Sequence, residues 1–202
     1  MKIIDTLLDI FLEHREKRVP TFLPLDLTEH YRKELGDLSL DAVYVATKYS
    51  EIEQHIARYK YSSERENVDL FGDLLSNLVE KYQIQFEKNL LLVPVPMHWT
   101  RYFMRGFDHT YYMAKYLSKK LGLPFGKILS TKWSRHQSKL SREKRLENKK
   151  NSFRMRDHDC SQEVVIILDD VISSWCTANE CARVLKAAGV KKVIGIFLAS
   201  NL

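Results

Sequence analysis

The stretch Val164 to Glu180, V-V-I-I-L-D-D-V-I-S-S-W-C-T-A-N-E, sets the tightest limits on the fold. Its first five residues, Val164 to Leu168, are all apolar, and β-branched Val and Ile dominate them. A half-buried strand alternates polar with apolar residues. An unbroken apolar run instead fits a strand covered on both faces, as in a parallel sheet. Two carboxylates follow, Asp169 and Asp170, and then a hydroxyl-rich turn with Ser173, Ser174 and Thr177. Apolar residues at Cys181, Ala182, Leu185 and Ala188 then take helical spacing, and Gly189 stops the helix. Val193 to Leu198 is a second β-rich run and completes a β-α-β unit. The expected class is α/β: a mainly parallel sheet with helices on both faces.

The chemistry of such a unit follows from its geometry. A turn between a strand end and a helix start aims backbone N–H groups into a crevice, where they and the helix dipole favour phosphate. The hydroxyls of Ser173, Ser174 and Thr177 add donors to the same anion. The acid pair stands at the carboxyl end of the strand, where ligands bind in open α/β sheets. Two acids beside a phosphate suit vicinal ribose hydroxyls or a divalent metal that bridges phosphate oxygens. The plainer alternative is a solvated Asp-Asp turn followed by a helix cap.

A second strand-turn-helix unit lies upstream. Leu90 to Pro96, L-L-L-V-P-V-P, reads as a buried strand ended by its two prolines, which cannot donate to a ladder. Its turn carries His98, Arg101 and the run Arg105-Gly106-Phe107-Asp108, and a helix is expected from His109 to Leu121. Arg105, with Arg101, suits phosphate, because a guanidinium matches phosphate oxygens bidentately. His98 is equally consistent with a purely structural histidine.

Between Lys132 and Arg156 the chain has ten basic and two acidic side chains, a local balance of +8 in a chain of net charge +6. That clustering suits a polyanion: pyrophosphate, a nucleotide or single-stranded nucleic acid. A solvated loop is the alternative. Trp133 and Phe153 offer two aromatic faces, for stacking on bases or for anchoring in a core.

The remaining elements are structural by default. A strand is expected over Asp41 to Lys48, a helix over Glu51 to Tyr59, a polar break at Tyr61 to Asn67, and a long amphipathic helix over Val68 to Phe86. Ile3, Ile4, Leu7, Leu8, Phe11 and Leu12 give the N-terminal stretch one apolar helical face. Residues 1–40 are expected to form an arm or hood, and residues 41–202 the main domain. No run of 18 apolar residues occurs, and the first residues lack a signal-peptide plan, so membrane insertion is not expected and a cytoplasmic location is. The cysteines, Cys160, Cys176 and Cys181, are odd in number and lack C-x-x-C spacing, which argues against a disulfide framework and a zinc site.

Val164 to Glu180 resembles the 13-residue phosphoribosyl-pyrophosphate (PRPP) signature of type I phosphoribosyltransferases. V-P-V-P-M-H followed by R-G-F-D resembles the V-P-V-P-L-H…R-G-F-N segment of the ComF family, whose members are phosphoribosyltransferase-like and include competence proteins for DNA uptake. Gln137, Leu140, Ser141, Arg142, Arg145, Asn148 and Phe153 match that family's Q-x-x-L-S-R-x-x-R-x-x-N-x-x-x-F. The three blocks occur in the family's order between Leu90 and Leu198. No cysteine precedes Cys160, so the family's usual four-cysteine zinc module is not expected in this chain.

The resemblance implies a phosphoribosyltransferase fold, PRPP as substrate with magnesium, and transfer of phosphoribosyl to a nitrogen acceptor. It implies Asp169 and Asp170 on the ribose hydroxyls and on magnesium, directly or through water. It puts Ser173, Ser174, Trp175, Cys176 and Thr177 around the 5′-phosphate, and Arg101 and Arg105 on pyrophosphate. Gln137, Ser141, Arg142 and Arg145 become candidates for a closing lid or a nucleic-acid contact. The other function it implies is a non-catalytic protein that binds single-stranded DNA or nucleotide beside partners in the competence machinery. One position departs from the pattern: Trp175 stands where the family has glycine, which permits a tight turn and close backbone approach to phosphate. Either the residue is genuine and alters the loop, or codon 175 is a UGA that the native organism reads as glycine.

Overall fold

A computed structural model of the chain describes residues 20–61, 67–97, 102–103, 106–131, 152–156, 162–172 and 176–201. Its core is a five-stranded sheet in the order β1-β2-β7-β6-β3. The strands are β1 (Leu25–Asp26), β2 (Ala42–Lys48), β3 (Leu90–Pro94), β6 (Val164–Ile172) and β7 (Lys192–Ser200). β2, β7, β6 and β3 run parallel, and β1 pairs antiparallel at the edge. In register, Val165 lies opposite Leu91 on one side and Val193 on the other. A separate antiparallel pair, β4 (Leu129–Thr131) and β5 (Phe153–Met155), completes the strands of the described residues.

Among the described residues five α-helices accompany them: α1 (Thr28–Leu35), α2 (Tyr49–Tyr61), α3 (Asn67–Lys81), α4 (His109–Leu121) and α5 (Cys176–Ala187). The fold is therefore mixed α/β with a mostly parallel central sheet, as the unbroken apolar runs predict. Alternation along the strands divides the core. Ala42, Leu92, Ile166 and Ile194 face α2, α3 and α4. Val43, Leu91, Val165 and Val193 face α5, Tyr31 of α1 and the β4–β5 pair. Val165, Ile166, Ile167 and Leu168 are all 0% exposed, so each contributes about 1.5–3 kcal/mol by burial. Where α3 meets α4 the Tyr116 ring lies against Gly72, and a Cβ there would clash with it.

Several boundaries differ from those the sequence suggests. The helix expected to reach Phe86 ends at Lys81. Gln83 turns left-handed, with φ 54°, and a 3₁₀ turn over Ile84–Phe86 buries Ile84 and leaves Phe86 on the surface. The strand that begins at Val164 does not stop at Leu168. It runs on through both acids to Ile172, with Val171 opposite Ala199 and Ile172 opposite Ser200. The following helix starts early, at Cys176, so Thr177 belongs to its first turn rather than to the preceding loop.

α4 follows its sequence signals at both ends. Asp108 caps it, accepting from the Tyr111 N–H at 3.1 Å, and Gly122 closes it with φ 66°. The outer side of β3 is occupied by the segment after α4. The Leu92 N–H donates to the Pro124 carbonyl, and the Gly126 N–H donates to the Leu92 carbonyl. No helix among the described residues is long and apolar enough to cross a membrane.

Candidate functional site

The carboxyl ends of β3 and β6 lie side by side, because the two strands are parallel and in register from Leu90 with Val164 to Pro94 with Leu168. The Val95 N–H adds one more bond, to the Leu168 carbonyl. Both strand-turn-helix units of the sequence thus open onto one end of the sheet. Asp169 and Asp170 are the next two residues of β6.

Each acid has one oxygen fixed by the backbone. Asp169 Oδ1 accepts from the Asp170 N–H at 2.9 Å, and Asp170 Oδ1 accepts from the Val171 N–H at 2.7 Å. The other oxygen of Asp170 accepts from His109 Nε2 at 3.1 Å, in a contact buried from solvent. His109 is the first residue of α4, so this contact joins the two units directly. One donor atom from each of His109, Asp169 and Asp170 lies within 4.8 Å of the other two.

Tyr59, on α2, supports the histidine from behind. Its hydroxyl donates to the His109 carbonyl at 3.1 Å, and its ring packs edge-on against the imidazole and against Phe71 and Phe107. Burial first, and then the negative charges of Asp108 and Asp170, push the Tyr59 phenol well above the ordinary tyrosine value. It remains a neutral hydroxyl donor at ordinary pH.

A shallow recess beside the end of β3 is lined by Pro94, Pro96, Met97, Asp108, Lys127 and Arg156 among others. Lys127 Nζ stands 3.8 Å from the Asp108 carboxylate and 3.7 Å from the centre of the Tyr111 ring. Arg156 is an exposed residue of this rim. The rim thus carries two cations, Lys127 and Arg156, and one carboxylate, Asp108.

Of the residues singled out from sequence, the structure brings Asp169 and Asp170 together at the strand end. It places Cys176 and Thr177, both half-buried, in the first turn of α5. His98, Arg101, Arg105, Ser173, Ser174, Trp175, Gln137, Ser141, Arg142 and Arg145 lie outside the described residues. His109 and Lys127 were not singled out. The signal for His109 was present but faint: a histidine in the first turn of a helix, directly after the capping Asp108 and downstream of a buried strand.

The chain is thus a mostly parallel α/β sheet with an acid pair at the carboxyl end of a central strand, the edge at which open α/β sheets bind ligands. Comparison with known proteins narrows this class. The chain is similar to competence protein F of Haemophilus influenzae, 29% identical over 106 residues, which is 50% of this chain and 46% of that protein. It is also similar to competence protein ComFC of Bacillus subtilis, 24% identical over 146 residues, covering 72% of this chain and 58% of that one. ComFC of Streptococcus pneumoniae is 25% identical over 137 residues, covering 68% and 58%. Its curated homologues are thus competence proteins of the ComF type, and the chain spans about half the length of those it matches. No family model matches the chain.

Among solved structures, adenine phosphoribosyltransferase from Leishmania tarentolae aligns with a TM-score of 0.44 and 12% identity, over 78% of this chain and 91% of that one. An allosteric regulatory enzyme of purine biosynthesis aligns with a TM-score of 0.41 and 17% identity, over 63% and 24%.

Proposed function

We propose that this chain is a ComF-like protein of the phosphoribosyltransferase type. In this reading it binds PRPP at the crevice above β3 and β6 and transfers phosphoribosyl to a nitrogen acceptor, with release of pyrophosphate. The observation that carries the reading is the acid pair at the carboxyl end of β6. Each acid has one oxygen held by a backbone N–H, which orients the carboxylates before any ligand arrives.

Asp169 and Asp170 accept hydrogen bonds from the vicinal ribose hydroxyls. The first turn of α5, with the Thr177 hydroxyl and the backbone amides of a helix start, receives the 5′-phosphate together with Ser173 and Ser174. Arg101 and Arg105 take the pyrophosphate. Gln137, Ser141, Arg142 and Arg145 belong to a segment that closes over the site and excludes water. Carboxylate oxygens are the donors a hard cation prefers, so Asp169 and Asp170 fit magnesium. When bound, the ion neutralises charge on the departing pyrophosphate.

Calorimetric titration with PRPP and magnesium tests the reading. Saturable binding in the wild type, lost in the double variant Asp169→Asn and Asp170→Asn with the fold retained, is the expected result. A folded double variant that binds PRPP like the wild type overturns it.

A second reading has its own support, the +8 balance between Lys132 and Arg156. It is a non-catalytic, cytoplasmic protein that binds single-stranded DNA beside other competence components. Salt-sensitive binding of single-stranded DNA with no PRPP binding would favour it. Neutralising Arg142, Lys144, Arg145, Lys149 and Lys150 should then flatten the salt dependence.

A further inference from the structure

We propose that His109, Asp169 and Asp170 form a site for a first-row transition-metal dication that binds with no phosphate ligand present. The spacing is the first reason. With metal–ligand bonds of about 2.0–2.2 Å, neighbouring donors of a coordination shell stand about 3.0–3.5 Å apart. His109 Nε2 and Asp170 Oδ2, at 3.1 Å, already span one such edge. Asp169 is the half-exposed member, and its donor lies within 4.8 Å of both.

The second reason is support around the donors. Asp170 is braced by the Val171 N–H, Asp169 by the Asp170 N–H, and His109 by its helix and the Tyr59 hydroxyl on its carbonyl. Such outer contacts fix the orientation of metal ligands. The side chains of His109 and Asp170 are only 5% and 12% exposed. A dication there displaces the hydrogen between Nε2 and Oδ2, and the imidazole binds it through Nε2 as the Nδ1–H tautomer, the Nε2 proton leaving to solvent.

The donor set also selects the ion. Magnesium prefers oxygen ligands and retains its waters, whereas imidazole favours cobalt, nickel and zinc. The site shares both aspartates with the proposed PRPP site, but its occupancy requires no PRPP.

Cobalt(II) is the probe. The full chain, isotopically labelled in its histidine rings, is titrated by NMR in phosphate-free buffer. The His109 ring signals should shift or vanish at one equivalent, ahead of the other histidines. His30, 3.7 Å from Glu34 on exposed α1, controls for adventitious binding. Magnesium at the same concentration should move the His109 signals less than cobalt does. His109→Asn should weaken cobalt binding by at least about tenfold. Asp169→Asn, at a half-exposed position, should also weaken it and serves if the first variant fails to fold.

Ring signals of His109 that stay put, or that move only in step with His30, overturn the proposal. So does an Asp169→Asn variant with wild-type affinity for cobalt. Loss of the cobalt site with PRPP binding intact overturns this inference alone. Cobalt binding without any PRPP binding overturns the phosphoribosyl reading alone.

Discussion

The two strand-to-helix units, β6–α5 and β3–α4, share one plan and differ in how firmly each is held. β6 is nine residues long and paired on both sides, to β3 and β7. β3 is five residues long and has a full strand partner on one side only. The acids lie just past the β3 ladder, which ends at Leu168, and Asp169 stays in register with Phe197 of β7, so they cannot shift without disturbing the β7 ladder. The imidazole that meets them comes from the less constrained unit. The site is therefore a fixed carboxylate pair approached by a neighbouring helix start. The buried contact between His109 and Asp170 is where the two halves meet.

That contrast can be broken in several ways. The largest effect is expected from Ile166→Ala in the middle of β6, where the side chain is 0% exposed. The loss should fall in the range of about 2–5 kcal/mol. Leu91→Ala on β3, at 8% exposure, should cost less, about 2 kcal/mol. Urea denaturation measures both, and equal losses would erase the distinction between the strands.

Next comes the joint itself. Asp170→Ala removes the carboxylate partner of a buried imidazole nitrogen and His109→Ala removes the partner of one oxygen of a buried carboxylate, each at about 1–3 kcal/mol. The double variant should lose less than the two single losses together, with a coupling of about 0.5–3 kcal/mol. Strict additivity would mean that the units do not support each other there.

Smaller again is Asp108→Ala, which removes the cap of α4 and should cost about 1 kcal/mol. Amide exchange should rise in the first turn of α4 and stay unchanged in β6.

The smallest effect concerns alkaline pH. The Tyr59 phenol has a raised pKa in the folded chain, so the fold keeps a proton that the unfolded chain releases above 10.0. Its contribution is fully present below that pH and is lost as pH rises beyond it. Tyr59→Phe should flatten the decline in melting temperature between pH 9 and 11. A decline of unchanged slope would assign the effect to other phenols, among them Tyr31 and Tyr44, whose pKa values are also raised by burial.

The strands were legible because covering both faces leaves a plain mark, the unbroken runs at Leu90 and Val164. The end of α3 was not. Gln83 adopts a left-handed φ that its residue type does not advertise, and the apolar spacing continues past it. β1, β4 and β5, of two or three residues, are too short to show a period, and their partners define them. The acid pair was legible from its place after an apolar run. His109 was not, because its partner stands 61 positions away and only the parallel pairing of β3 with β6 brings them together.

The treatment of the two sheet margins bears on how this molecule meets its neighbours. A long bare strand margin is a template on which another polypeptide can lay itself and propagate into aggregates. Here one margin is finished by the two-residue β1, and at the other Leu92 bonds to the Pro124–Gly126 segment. Pro94 and Pro96, which follow on the same side, have no N–H to offer. Among the described residues, a companion protein that adds a strand to the main sheet would find little to pair with at either margin. Association through side chains or through the crevice is the mode this architecture leaves open, and crowding the chain at high concentration should not seed cross-β growth from the native state.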